Sequence, residues 1–123
     1  MSYMKAQNRT IRCVGQKMIS MAFAIFQHCT HRYSLSTSVA MQHQMSLGVE
    51  GQIANLNSYL DLANNMYADL VKYQAKRLKM KVDEFNARIR SDWWVYGQDI
   101  VDYGVSDKCV IAGCETFLFC PFF

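Results

Sequence analysis

Ser20, His43 and Asp92 are the residues whose types could together transfer an acyl group. That chemistry needs a nucleophile, a base to take its proton, a carboxylate to orient the base, and N–H donors for the oxyanion. Ser20 stands between the apolar run "TIRCVG" (10–15) with its following turn and the helical stretch "SMAFAIFQHC", so its hydroxyl projects from a bend. The N–H of Met21 then faces outward at a helix start, where negative charge is favoured. His43 closes the β-like run "RYSLSTSVAMQH" in a polar setting between Gln42 and Gln44. Asp92 follows a helix and precedes Trp93 and Trp94, whose rings are expected to shield its pairing with His43 from water. Each residue also has a plainer reading: a helix cap for Ser20 and Asp92, a hydrogen-bonded polar residue for His43.

The elements that must position these groups follow from the pattern of the chain. "TIRCVG" predicts a short buried strand that Gly15 ends. One or two strands are expected to lead up to His43, and "SLGVEGQ" is turn chemistry with Gly48 and Gly51 free to take positive φ. Leu56, Leu60, Ala63, Tyr67, Leu70 and Tyr73 recur at steps of three and four, predicting a helix from Ile53 to Met80. Roughly 28 residues make a rod of about 42 Å, long for a 123-residue chain, so something outside this subunit is expected to pack against it. "VDEFNARIR" predicts a second helix, with Asp83 and Glu84 in a first turn that favours acids. "SDWWVYGQDIVDYGVSDKCV" reads as turn, short helix and closing strand, with Gly104 ending that helix near Tyr103. The order is that of an α/β protein.

Composition removes several classes. Half the residues are apolar and 13% aromatic, enough for a core, while a net charge of +3 with one basic cluster (Lys76, Arg77, Lys79, Lys81) is no nucleic-acid footprint. The five cysteines (Cys13, Cys29, Cys109, Cys114, Cys120) contain no C-x-x-C, which argues against a zinc site and favours reduced thiols in a cytosolic compartment. "MISMAFAIF" follows scattered basic residues without a good cleavage region, and "FLFCPFF" is too short to cross a bilayer. Neither reads as membrane targeting. No G-x-x-x-x-G-K-[ST] occurs, so nothing here binds ATP in that way.

Taken together, "CVGQKMISMAFA", "VAMQHQMSLGVEGQ" and "RIRSDWWVYGQDIVDYGVSDKCV" resemble the proteolytic subunit of the Clp protease, the ClpP family of serine peptidases. That family carries a V/I-G-Q-A-A-S-M nucleophile turn, an M-I-H-Q strand end followed by G-x-x-G-Q, and R-D-x-F/W leading to E-A-x-x-Y-G-L-x-D-K. The likeness covers about residues 10–110 and needs no gap from His43 to Asp92. It implies a single partial domain over 1–123, a ClpP/crotonase-like ββα spiral with a long protruding handle helix, a divergent tail at 111–123, and a missing N-terminal part. "MSYMKAQNR" resembles the end of the helix before the nucleophile strand. By resemblance Ser20 is the nucleophile, His43 the base, Asp92 its orienting carboxylate and Met21 the oxyanion N–H. Ser46, Leu47, Gly48, Gly51 and Gln52 belong to the substrate-lining strand and turn of the handle. The nucleophile turn departs from the family in one apparent extra residue and in the bulk of Lys17, Met18 and Ile19, with Ala22 where a glycine is usual.

The function so implied is a serine endopeptidase that cleaves unfolded polypeptides inside stacked heptameric rings of its own copies. A AAA+ unfoldase would feed it and use the ATP. No cofactor or metal of its own is expected, no nucleic-acid or membrane partner, and a cytoplasmic or organellar (stroma or matrix) location. The alternative is a non-catalytic or truncated subunit that assembles and hydrolyses nothing. Acyl-CoA chemistry of the wider crotonase-like superfamily needs no ordered Ser, His and Asp. A serine–lysine pair is disfavoured because Lys17 lies too close to Ser20 along the chain.

Overall fold

A computed structural model describes residues 6–110. The expected divergent tail, and most of the segment likened to a preceding helix, lie outside the described residues. The chain divides into two units. The first, of which residues 6–42 and 94–110 are described, holds the sheet. The second is residues 43–93.

In the first unit, strand β1 (Arg12–Ile19) leads through Ser20 into helix α1 (Met21–Gln27) and back into strand β2 (His31–Gln42). β1 and β2 are parallel, so they need a crossover, and α1 supplies it. Strand β3 (Trp93–Tyr96), all but its first residue, helix α4 (Asp99–Asp102) and strand β4 (Lys108–Val110) complete the unit, while helices α2 (Ile53–Arg77) and α3 (Val82–Ile89) belong to the second. β2 is the central strand: β1 pairs along one side, while β4 pairs in parallel at Tyr33–Leu35 and β3 also lies beside it. The α/β class is as read from the sequence. The segment read as a turn at "WWVY" is instead a strand.

Gly15 does not end β1. The strand continues to Ile19, and its register against β2 jumps between Gly15 and Lys17, from Gly15↔Ser34 to Lys17↔Val39. Buried positions slip from Gly15 to Met18, three apart, where an unbroken strand alternates by two. An inserted residue would otherwise turn every later side chain to the wrong face. Between the two pairs β1 advances two residues and β2 five, so the looped-out residues lie on β2 while β1 runs on towards Ser20. The bulge is closed by Ser38: its hydroxyl accepts from the Leu35 N–H (2.7 Å) and donates to the Gly15 carbonyl (2.7 Å). Gly15 is required here, because a Cβ would lie 2.1 Å from Sδ of Met18, itself 2% exposed.

α1 buries Phe23, Ala24, Phe26 and Gln27 on one face and leaves Met21 and Ile25 exposed. Each buried phenylalanine contributes about 2–3 kcal/mol. The end of α1 is tied down by polar groups. Arg32, buried on β2, donates to Oε1 of Gln27, to the Gly104 carbonyl (3.1 Å) and to Oδ1 of Asp107 (2.6 Å). Its backbone N–H donates to Oδ2 of Asp107 (2.8 Å), and Gln27 Nε2 donates to the Val105 carbonyl (3.2 Å). Gly104 ends α4 as expected, at φ 77°.

The second unit is helical. α2 runs over Ile53–Arg77 and α3 over Val82–Ile89. At about 37 Å, α2 is the long helix the spacing predicted. Only its C-terminal part is well covered: Val71, Gln74, Ala75 and Leu78 are buried there, with Phe85 and Ile89 of α3. Of the predicted stripe, Ala63 is buried but Leu60 is exposed, as are Ile53, Tyr59, Leu62 and Met66. Phe85, fully buried, meets Trp93 edge-on with ring centres 6.4 Å apart.

Candidate active site

Ser20 occupies a sharp strand-to-helix bend at φ 58°, ψ −116°. A residue with a Cβ rarely adopts that conformation, which costs of order 1–3 kcal/mol and persists only where the surroundings impose it. Here two bonds impose it. The Ser20 N–H donates to the Met41 carbonyl on β2 (2.9 Å), and the Ser20 carbonyl accepts from Ala24 in the first turn of α1 (3.3 Å). A strained strand–turn–helix of this kind presents the nucleophilic serine of α/β-hydrolases clear of its neighbours. The first amides of a helix, Met21's among them, have no intrahelical carbonyl within reach and can serve an oxyanion.

Met41, which anchors Ser20, lies two residues before His43 in the chain. His43 follows the last residue of β2 and is half-buried. It opens the second unit, and Asp92 lies next to that unit's final residue. The two ends of the unit are tied together, since the Gln44 N–H donates to the Ile89 carbonyl (3.0 Å). His43 and Asp92 each flank that contact closely in sequence, whereas Ser20 belongs to the first unit.

The tryptophans do not form the expected shield. Trp93 is engaged by Phe85 and by the Arg88 guanidinium 5.4 Å from its ring centre, Trp94 is 56% exposed, and Asp92 is exposed. Residues 43–50 form neither strand nor helix, and Ser46, Leu47, Gly48, Gly51 and Gln52 are all exposed. The turn is present without the strand that the family likeness implied. Gly51 takes a positive φ of 154°, while Gly48 does not. Residues 48–52 with Asn55, Leu56 and Tyr59 of α2 line an open groove. Further along α2, burial raises the pKa of the Tyr67 hydroxyl, an effect a hydrogen bond with the backbone of Met45 partly offsets.

Two features escaped the sequence. Cys13 and Cys29 are joined in a disulfide, Cα atoms 6.0 Å apart, which corrects the expectation of reduced thiols. Strand pairing sets the start of β1 beside the residues that follow α1: Thr30 and His31 both donate to the Ile11 carbonyl. A spacing of sixteen residues gave no hint, because connectivity cannot be deduced from positions alone. The other is the Gln27–Arg32–Asp107 network, of which only Asp107, in "YGVSDK", stood in a recognised motif. Among the described residues no group of three or more His, Cys, Asp or Glu side chains could hold a metal ion. No helix among them is long and apolar enough to cross a membrane.

A sequence model of the Clp protease family matches residues 1–112. The chain belongs to the Clp protease family. It is 26% identical over 88 residues to ATP-dependent Clp protease proteolytic subunit 2 of Pseudomonas aeruginosa, an alignment covering 72% of this chain and 44% of that protein. The chain thus spans less than half the length of this Clp relative. Its four-stranded sheet, crossover helix and 25-residue α2 are consistent with a Clp-type α/β fold.

Proposed function

We propose that this chain is a serine endopeptidase subunit of Clp type. The strained bend at Ser20 carries the reading: a chain holds a non-glycine residue at φ 58° between strand and helix for a reason. Ser20 Oγ attacks the scissile carbonyl carbon as His43 takes its proton. Asp92 orients the imidazole and stabilises the imidazolium, and the Met21 N–H stabilises the oxyanion. His43 then hands the proton to the leaving amine, and water releases the acyl group by the same steps. Residues 46–52 receive the polypeptide as an extended segment beside the N-terminal part of α2.

The substrate is unfolded polypeptide, and the working form is an assembly of copies in stacked heptameric rings. ATP is used by a partner AAA+ unfoldase, with no cofactor on this chain, in the cytoplasm or an organellar stroma or matrix. Hydrolysis of a fluorogenic peptide is the test. Activity lost in Ser20→Ala and His43→Ala, and reduced in Asp92→Ala, supports the reading; equal rates in the variants sink it. A second reading, a non-catalytic subunit, is favoured by the exposure of Asp92 and by the apolar surface of Ile53, Leu62 and Met66 on α2, which suits assembly. It predicts folded oligomers without hydrolysis.

A further inference from the structure

The disulfide encloses the proposed nucleophile. Cys13 lies on β1 and Cys29, sixteen positions later, just beyond α1, and the span between them contains the end of the strand, the bend and the whole helix. Ser20 comes seven residues after Cys13 and nine before Cys29. A bend held away from its preferred conformation relaxes when the elements on either side can shift, and this bond fixes those two elements to one another. Noncovalent ties hold the same helix: Gln27 is bonded to Arg32 and to the Val105 carbonyl. These ties, with the pairing of β1 and β2, would keep the unit folded when the disulfide is open.

We infer that Cys13–Cys29 is a redox-sensitive staple that positions Ser20, so that the oxidised chain carries the reactive serine and the reduced chain a relaxed one. This rests on reading Ser20 as the nucleophile. The two cysteines differ in exposure, Cys13 being half-buried and Cys29 1% exposed. A dithiol reductant attacks through its thiolate at Cys13 Sγ. A mixed disulfide forms there, the Cys13–Cys29 bond breaks, and Cys29 leaves as a thiolate that takes up a proton. The second thiol of the reductant then attacks its own bound sulfur and releases Cys13. Two electrons and two protons pass to the protein, and the reductant leaves as its disulfide. In a reducing compartment a bond of this kind is a sensor more often than a permanent brace.

The experiment compares the full chain purified oxidised, treated with dithiothreitol, and reoxidised. It reads the rate of fluorophosphonate labelling at Ser20 together with hydrogen exchange of the α1 amides. The control is the Cys109→Ser/Cys114→Ser/Cys120→Ser variant. Labelling should slow about tenfold on reduction and recover on reoxidation, with faster exchange across Met21–Gln27 and an unchanged far-ultraviolet circular dichroism spectrum. The double variant Cys13→Ser/Cys29→Ser should behave as the reduced chain in either state. Equal labelling and exchange in the two states overturn the inference, as does finding Cys13 and Cys29 as free thiols in the oxidised preparation. If neither state labels at Ser20, the nucleophile reading falls. The exchange comparison then still decides whether the bond holds the bend.

Discussion

Replacing Ser20 by glycine should make the protein more stable than replacing it by alanine, reversing the usual order of those residues. At φ 58°, ψ −116° a side chain costs of order 1–3 kcal/mol, and glycine avoids that cost. Glycine gives back about 0.5–1 kcal/mol of backbone entropy. The difference that remains favours Ser20→Gly over Ser20→Ala by about 1 kcal/mol. Ser58, exposed in the second turn of α2, is the internal control, because there alanine should exceed glycine by about 1 kcal/mol. Urea unfolding followed by circular dichroism resolves such a gap as a midpoint shift of about 0.5 M. If glycine is the worse residue at both positions, Ser20 is not strained and the basis for singling it out is lost. Both Ser20 variants should be inert toward a fluorophosphonate, so stability and reactivity separate at this position.

Four further outcomes follow from the packing. Asp107→Ala removes the carboxylate facing the buried Arg32 and should cost about 2 kcal/mol, below the roughly 3–5 kcal/mol of a fully buried pair because the Asp107 side chain is 38% exposed. Adding Arg32→Met should recover part of that loss, and a double-mutant cycle by thermal unfolding reads it. Gly15→Ala should destabilise by about 1–3 kcal/mol through its overlap with Met18, less so in a Met18→Ala background. Phe85→Ala should lower the unfolding free energy, read from urea titration, by the about 3–5 kcal/mol typical of a buried phenylalanine. Tyr67 gives a pH signature. Its pKa is raised in the folded chain, so its contribution is intact below the unfolded value of about 10 and is lost as pH rises through the folded value. Tyr67→Phe should flatten that alkaline fall in stability.

Much of this architecture was legible from spacing. The stripe from Leu56 to Tyr73 announced α2, because a helix repeats its face every three or four residues regardless of what packs on it. How the stripe is used was not legible: Ile53, Tyr59, Leu60 and Leu62 in the N-terminal half are exposed, while Val71, Gln74 and Ala75 pack nearer the other end. Gly15 misled because glycine commonly stops a strand, whereas here it makes room for Met18 inside a bulge. Strand β3 was hidden by its brevity, four residues with a single buried position, too few for alternation to show. Ser20 was found by its place between strand and helix, but its dihedral angles, which distinguish it from an ordinary cap, are a property of the folded chain. The disulfide and the Arg32 network join residues brought together only by the parallel pairing of β2, so no local pattern encoded them.

The most direct test of the proposed chemistry is the site of covalent modification. Folded, oxidised protein is treated with a fluorophosphonate, digested, and its peptides sequenced by mass spectrometry, with the His43→Ala variant alongside. The adduct should fall on Ser20 alone and drop at least a hundredfold in His43→Ala. Modification spread over several serines, or equal labelling of Ser20 without His43, would contradict an activated nucleophile at the bend.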